Sequence, residues 1–105
     1  MTLFVDLDGV ICTEETTFER ALARLIPGAR ESMSALRDAG HIIVIYTARS
    51  WSEFRMTKQW LHDHEIPFDA LQMGKPVADR FIDDRAIRFT DWSEVLASLP
   101  LDGPR

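Results

Sequence analysis

Two short apolar runs constrain this chain more than anything else in it. Leu3-Phe4-Val5 stops at Asp6, and Ile42-Ile43-Val44-Ile45, inside the stretch His41 to Tyr46, stops before Thr47. Continuous apolar runs of this length, rich in β-branched residues and too short for a buried helix, read as strands of a parallel sheet. Asp6 and Thr47 then stand at or just past the carboxyl ends of their strands. Phe68 to Leu71 and Phe81-Ile82 are two further candidate strands, the second running directly into Asp83-Asp84.

Between these runs the apolar residues recur at helical spacing. Phe18, Ala21, Leu22 and Leu25 form one such set. Pro27 suits the first turn of a second helix, with Ala29, Met33, Leu36 and Ala39 on its inner side and Gly40 as its stop. A third runs from Ser50 to about His64 through Phe54, Thr57, Lys58 and Leu61, with Ser50 or Ser52 as cap and Pro67 beyond it. Trp92 to Leu99 reads as a closing helix, and 101–105 as a frayed tail. Strands alternating with helices imply right-handed crossovers and a three-layer α/β sandwich around a central parallel sheet.

A length of 105 residues suits one domain, expected over 1–100. Hydrophobic residues make up 46% and charged residues 28%, near the averages for globular proteins, which counts against disordered, fibrous and membrane-spanning classes. The formal charge is −5, from 17 acidic residues against 12 Lys and Arg, and no basic stripe is visible. Stable nucleic-acid binding is therefore not expected. Cys12 is the only cysteine, so no intrachain disulfide can form. The opening apolar run is too short for a signal-peptide core or a membrane span, and a cytoplasmic location without membrane contact is expected.

In a parallel sheet ligands bind beyond the carboxyl ends of the strands, where Asp6, Asp8, Thr47, Lys75, Asp83 and Asp84 all fall. With Asp6 ending a strand, Leu7 can point inward while Asp6 and Asp8 face the crevice. Carboxylates that close repel unless a cation joins them. An oxygen-only set with no Cys or His cluster suits magnesium rather than zinc. Lys75 supplies a compact positive charge, and Thr47 a hydroxyl beside the amides of Ala48 and Arg49; together these can hold phosphoryl oxygens. The chemistry this permits has two steps. Asp6 attacks phosphorus and expels an alcohol, water then hydrolyses the aspartyl-phosphate, and Asp8 gives and retrieves the proton.

Four segments, Asp6-Leu7-Asp8-Gly9-Val10, Tyr46-Thr47-Ala48-Arg49, Gly74-Lys75-Pro76 and Phe81-Ile82-Asp83-Asp84, resemble in order the four signature motifs of the haloacid dehalogenase superfamily of phosphatases. The ending Asp83-Asp84-Arg85-Ala86-Ile87-Arg88 is similar to that of its small members associated with capsule and surface-polysaccharide biosynthesis. The resemblance implies a Rossmann-like core, Asp6 as nucleophile, Asp8 as general acid and base, and Thr47 and Lys75 as phosphate ligands. It also implies magnesium held by Asp6, the Asp8 carbonyl and Asp83, with Asp84 assisting. Val10 departs from the Thr that many members carry, which removes a hydrogen bond to the Asp8 loop. The intervals between motifs leave no room for a cap domain, so a capless core is expected, its crevice covered by a second copy of the chain or by a large substrate.

The expected reaction is hydrolysis of a small phosphorylated metabolite such as a sugar phosphate. Phosphoryl transfer to an alcohol is the alternative within enzymes, and a noncatalytic binding module the alternative outside them. A receiver-like domain phosphorylated on Asp6 shares the acidic pocket, but Asp8 argues for rapid loss of the phosphoryl group. Arg49 either reaches the substrate or pairs with a nearby acid, with the balance toward the substrate. Trp51, Trp60 and Trp92 read as core or rim residues, Trp51 being the one placed to stack on a sugar or base. His41, His62 and His64 read as surface groups, and Cys12 as inert packing.

Overall fold

The computed structural model describes residues 1–99. Its sheet has three strands, β1 (Thr2–Val5), β2 (Ile42–Tyr46) and β3 (Ala70–Gln72), all parallel and in the order β1-β2-β3. Thr2 pairs with Ile42 and Val5 with Ile45, while Val44 pairs with Ala70 and Tyr46 with Gln72. The apolar run of β2 is thus the central strand, as its composition requires: Ile43 and Ile45 have no solvent exposure.

Three α-helices complete the frame: α1 (Ala29–Asp38), α2 (Phe54–Asp63) and α3 (Trp92–Ala97). The inner side expected for α1 is the buried one, with Ala29, Met33, Leu36 and Ala39 all in the core. A 3₁₀ turn, Trp51–Glu53, leads into α2, and the Ser50 N–H donates to the Glu53 carboxylate at 3.1 Å, closing the amino end. Asp91 caps α3 by accepting the Glu94 N–H at 2.9 Å.

A single cluster joins the helices to one face of the sheet. Leu7, Ile11, Met33, Leu36, Ile43, Ile45, Leu61 and Trp92 form its centre, with Leu3, Val5 and Leu71 packed against it. The other face carries Phe4 and Ile42, which are 57% and 53% exposed. On that face Phe4 meets the Tyr46 ring edge-on, 5.5 Å between centroids.

Three expectations fail. The set from Phe18 to Leu25 is not a core-facing helix: Thr17–Leu22 is a 3₁₀ helix with no buried residue, and Phe18 is 99% exposed. A 3₁₀ helix has three residues per turn, so the four-residue spacing that makes an α-helical stripe scatters round its surface. Phe81-Ile82 forms no strand; both residues are exposed, within an irregular, exposed stretch before α3. His41 is buried, with the N-terminal ammonium 3.1 Å from its Nδ1. The expected tail at 101–105 lies outside the described residues. Among the described residues, no helix is long and apolar enough to cross a membrane.

Candidate active site

The chain leaves β1 through a tight knot. Leu7 is fully buried, and its carbonyl accepts N–H groups from Val10 at 3.2 Å, Ile11 at 2.9 Å and Cys12 at 3.2 Å. With three donors anchored on one carbonyl, Leu7 is fixed inward and its neighbours Asp6 and Asp8 stay partly exposed. Gly9 crosses the knot at φ +84, a left-handed conformation that favours glycine, and donates to the Cys12 carbonyl at 2.8 Å. Trp92 reaches back from α3 to brace the knot, its indole N–H donating to the Val10 carbonyl at 2.9 Å.

Two further loops converge on it. After β3, Gly74 at φ +77 donates to the Arg49 carbonyl at 2.9 Å, and Lys75 N–H donates to the Thr47 carbonyl at 2.8 Å. Those two bonds seat the Lys75 loop on the Thr47 loop, and the Lys75 ammonium lies 3.7 Å from Asp6 Oδ2. Arg49 closes the circuit by binding Asp8 with two nitrogens, Nε to Oδ2 at 3.0 Å and Nη2 to Oδ1 at 2.7 Å. Asp6, Lys75, Thr47, Arg49 and Asp8, which the sequence places near three separate strand ends, are therefore linked by direct contacts.

Their electrostatics follow from that packing. Burial pushes the Asp6 carboxyl above its ordinary value; the Leu7 N–H on Oδ1 at 2.8 Å and the Lys75 charge pull the other way, and Asp8 adds to the rise. Cys12 is fully buried, and desolvation together with the Asp8 charge pushes its thiol up to about 12. Burial works against the Arg49 charge as well, but the Asp8 carboxylate outweighs it, and the guanidinium is held more firmly protonated than usual.

Several expected contacts take a different form. Arg49 is 3% exposed and faces Asp8, so it is an internal ion pair rather than a group reaching for substrate. Its N–H donates to Thr47 Oγ1 at 3.2 Å, which removes that amide from the set free to hold phosphoryl oxygens. Thr47 is itself fully buried. The Ala48 N–H takes no acceptor among the described residues and stays available. Trp51 is exposed, and a Cβ at Gly74 would stand 3.7 Å from its ring nitrogen. The Arg49–Asp8 pair joins segments 41 residues apart, so spacing along the sequence does not specify which acid Arg49 meets, and nothing in the sequence marks the Thr57 hydroxyl that meets Arg49 Nη1 at 3.0 Å.

Asp83 and Asp84 are not gathered in. Both are exposed, and Asp83 Oδ1 accepts the Arg85 N–H at 2.8 Å in a local turn. Among the described residues no three His, Cys, Asp or Glu side chains converge closely enough to hold a metal ion. Oxygen donors suit magnesium in kind, but with Asp83 and Asp84 apart from Asp6, this arrangement does not form the expected site. An open concavity between α2 and β3, lined by Arg37, Lys58, His62 and Phe68 among others, involves none of the four carboxylates.

No protein-family model and no curated protein matches the chain. Solved structures do. A crystal structure of a target protein from Vibrio cholerae superposes with TM-score 0.75 at 29% identity, over 96% of this chain and 90% of that one. The fold is an α/β, Rossmann-like core. A D,D-heptose bisphosphate phosphatase from B. bronchiseptica, solved with magnesium and phosphate, aligns at TM-score 0.57 and 17% identity over 81% of this chain and 53% of its own. A Pnkp1/Rnl/Hen1 complex contributes a chain with TM-score 0.62 and 16% identity, of which the match takes in 30%. These likenesses establish an α/β, Rossmann-like architecture without a cap domain among the described residues.

Proposed function

We propose that this chain is a phosphomonoester hydrolase that acts through an aspartyl-phosphate on Asp6, with a small phosphorylated metabolite such as a sugar phosphate as substrate. One observation carries the reading. Asp6 sits at the carboxyl end of β1, more than a third exposed, with Leu7 N–H fixing one oxygen and the Lys75 ammonium beside the other. A carboxylate so held has its orientation set and a cation at hand for the incoming phosphoryl oxygens.

In the first step an Asp6 oxygen bonds to phosphorus as the ester P–O bond breaks, and Asp8 gives its proton to the departing alkoxide. In the second, water attacks the same phosphorus, its proton passes to Asp8, and the bond to Asp6 breaks to release phosphate. Lys75 and the free Ala48 N–H hold the phosphoryl oxygens throughout. Magnesium enters this proposal as an expectation from donor chemistry and from the ligands of the heptose phosphatase, and it requires Asp83 or Asp84 to come to Asp6.

The separation of Asp83 and Asp84 from Asp6 favours a second reading, a noncatalytic binding module on the same fold. Phosphate release from a panel of sugar phosphates, nucleotides and an aryl phosphate, with magnesium or with chelator, decides between them. The proposal expects release with magnesium that disappears in Asp6→Asn. Absence of release from the whole panel would favour the module.

A further inference from the structure

We propose that Arg49 is a positioning residue for Asp8, held in turn by Thr57 of α2. This deepens the phosphatase reading and rests on it. The guanidinium is spent on internal contacts: Nε and Nη2 take the two Asp8 oxygens, Nη1 takes Thr57 Oγ1 at 3.0 Å, and Nη2 also lies 3.8 Å from Cys12 Sγ. With 2% of its side chain exposed, no nitrogen is left for a ligand in the crevice.

A fork on both oxygens does what a point charge does not, because it fixes the plane of the carboxylate as well as its distance. Among the described residues the only other group on the Asp8 carboxylate is the Cys12 thiol, at a long 3.7 Å. Val10, next along the knot, has no hydroxyl to offer. The orientation of Asp8 therefore depends on Arg49. Arg49 is in turn pinned along its whole length: its N–H on Thr47 Oγ1, its carbonyl under Gly74 N–H, and its far end on the buried Thr57.

An ion pair this enclosed is weak evidence of a stabilising role, since burying both charges offsets much of their attraction. Its effect is geometric. Each Asp8 oxygen keeps a second lone-pair direction, and the edge turned away from Arg49 is where a departing oxygen takes its proton. Arg49 itself neither gives nor accepts that proton.

The test uses single-turnover release of the alcohol from an alkyl phosphate and from dinitrophenyl phosphate. An alkoxide needs the Asp8 proton to depart, whereas dinitrophenolate leaves without it. In Arg49→Lys the alkyl ester should slow roughly 100-fold, the scale of a misplaced catalytic group, while the activated ester stays near the wild-type rate. Thr57→Val, which keeps Arg49 and the local volume, should show the same selectivity with a smaller loss. Free guanidinium should restore part of the alkyl rate in Arg49→Ala. Equal losses on both esters in Arg49→Lys and Thr57→Val, or no loss in either, would overturn the positioning role while leaving the phosphatase reading intact. A wild-type protein that cleaves neither ester would overturn the phosphatase reading itself, and this role with it.

Discussion

Lys75 places its ammonium 3.7 Å from Asp6 Oδ2, and the same side chain lies 5.8 Å from the centre of the Tyr46 ring and 5.1 Å from that of Phe81. It is a cation held between a carboxylate and two aromatic faces, at the one strand end where the reacting carboxylate emerges.

That placement has a pH signature. Asp6 must be ionised to attack phosphorus, and burial raises its pKa above the ordinary 3.8 while Lys75 pulls it down. The acid limb of kcat/KM should therefore fall above 3.8 in the wild type and move higher in Lys75→Met, with KM raised as well. A pH–rate profile checks both; a limb unmoved by Lys75→Met would detach this residue from Asp6.

Removing the Asp6 charge should stabilise the fold while abolishing activity. A carboxyl whose folded pKa is raised destabilises the native state once it ionises, a penalty present above the folded pKa and absent below the unfolded one. Asp6→Asn should melt higher than wild type at neutral pH, and the difference should close as the pH falls through the carboxylate range. Thermal melts across that range measure it, and a lower melting temperature for Asp6→Asn at neutral pH would count against the assigned direction.

Cys12 should be silent toward thiol reagents in the folded protein. Its thiol is fully buried and pushed up to about 12 by desolvation and by Asp8, so the reactive thiolate is scarce at pH 8. Labelling should appear only with denaturant. Rapid native labelling would place Cys12 in a more open site than the one described.

Trp92→Phe should cost about 1–3 kcal/mol, because it leaves the Val10 carbonyl of a partly buried pair without its indole donor. It should also slow turnover, since Val10 belongs to the knot that carries Asp8. Denaturant unfolding measures the first effect; a change within about 0.5 kcal/mol would mean that the bond does not brace the knot.

What was legible in the sequence, and what was not, follows the range of the forces involved. Ile43 and Ile45 announce a buried central strand because β-branching and apolar continuity are local properties. Met33 and Leu36 likewise mark the inner side of α1. Phe81-Ile82 has the same local character yet stays exposed, since a strand also needs a neighbour to pair with. Phe18 and Leu22 sit at α-helical spacing on a backbone that turns as a 3₁₀ helix. The Lys75 loop reached Asp6 as its strand-end position suggested. The fork of Arg49 on Asp8 spans 41 residues and depends on how two loops meet, which no local pattern encodes. His41 reads as a surface group but is buried, with the N-terminal nitrogen 3.1 Å from its Nδ1.

The most direct test of the central claim is the stereochemical course at phosphorus, followed with a phosphorothioate ester made chiral by two oxygen isotopes and hydrolysed in water of the third, so that the thiophosphate released is itself chiral. Attack by Asp6 followed by attack of water gives two in-line displacements, so the released phosphoryl group should retain its configuration. Inversion would mean that water attacks the ester directly and that Asp6 is not the nucleophile.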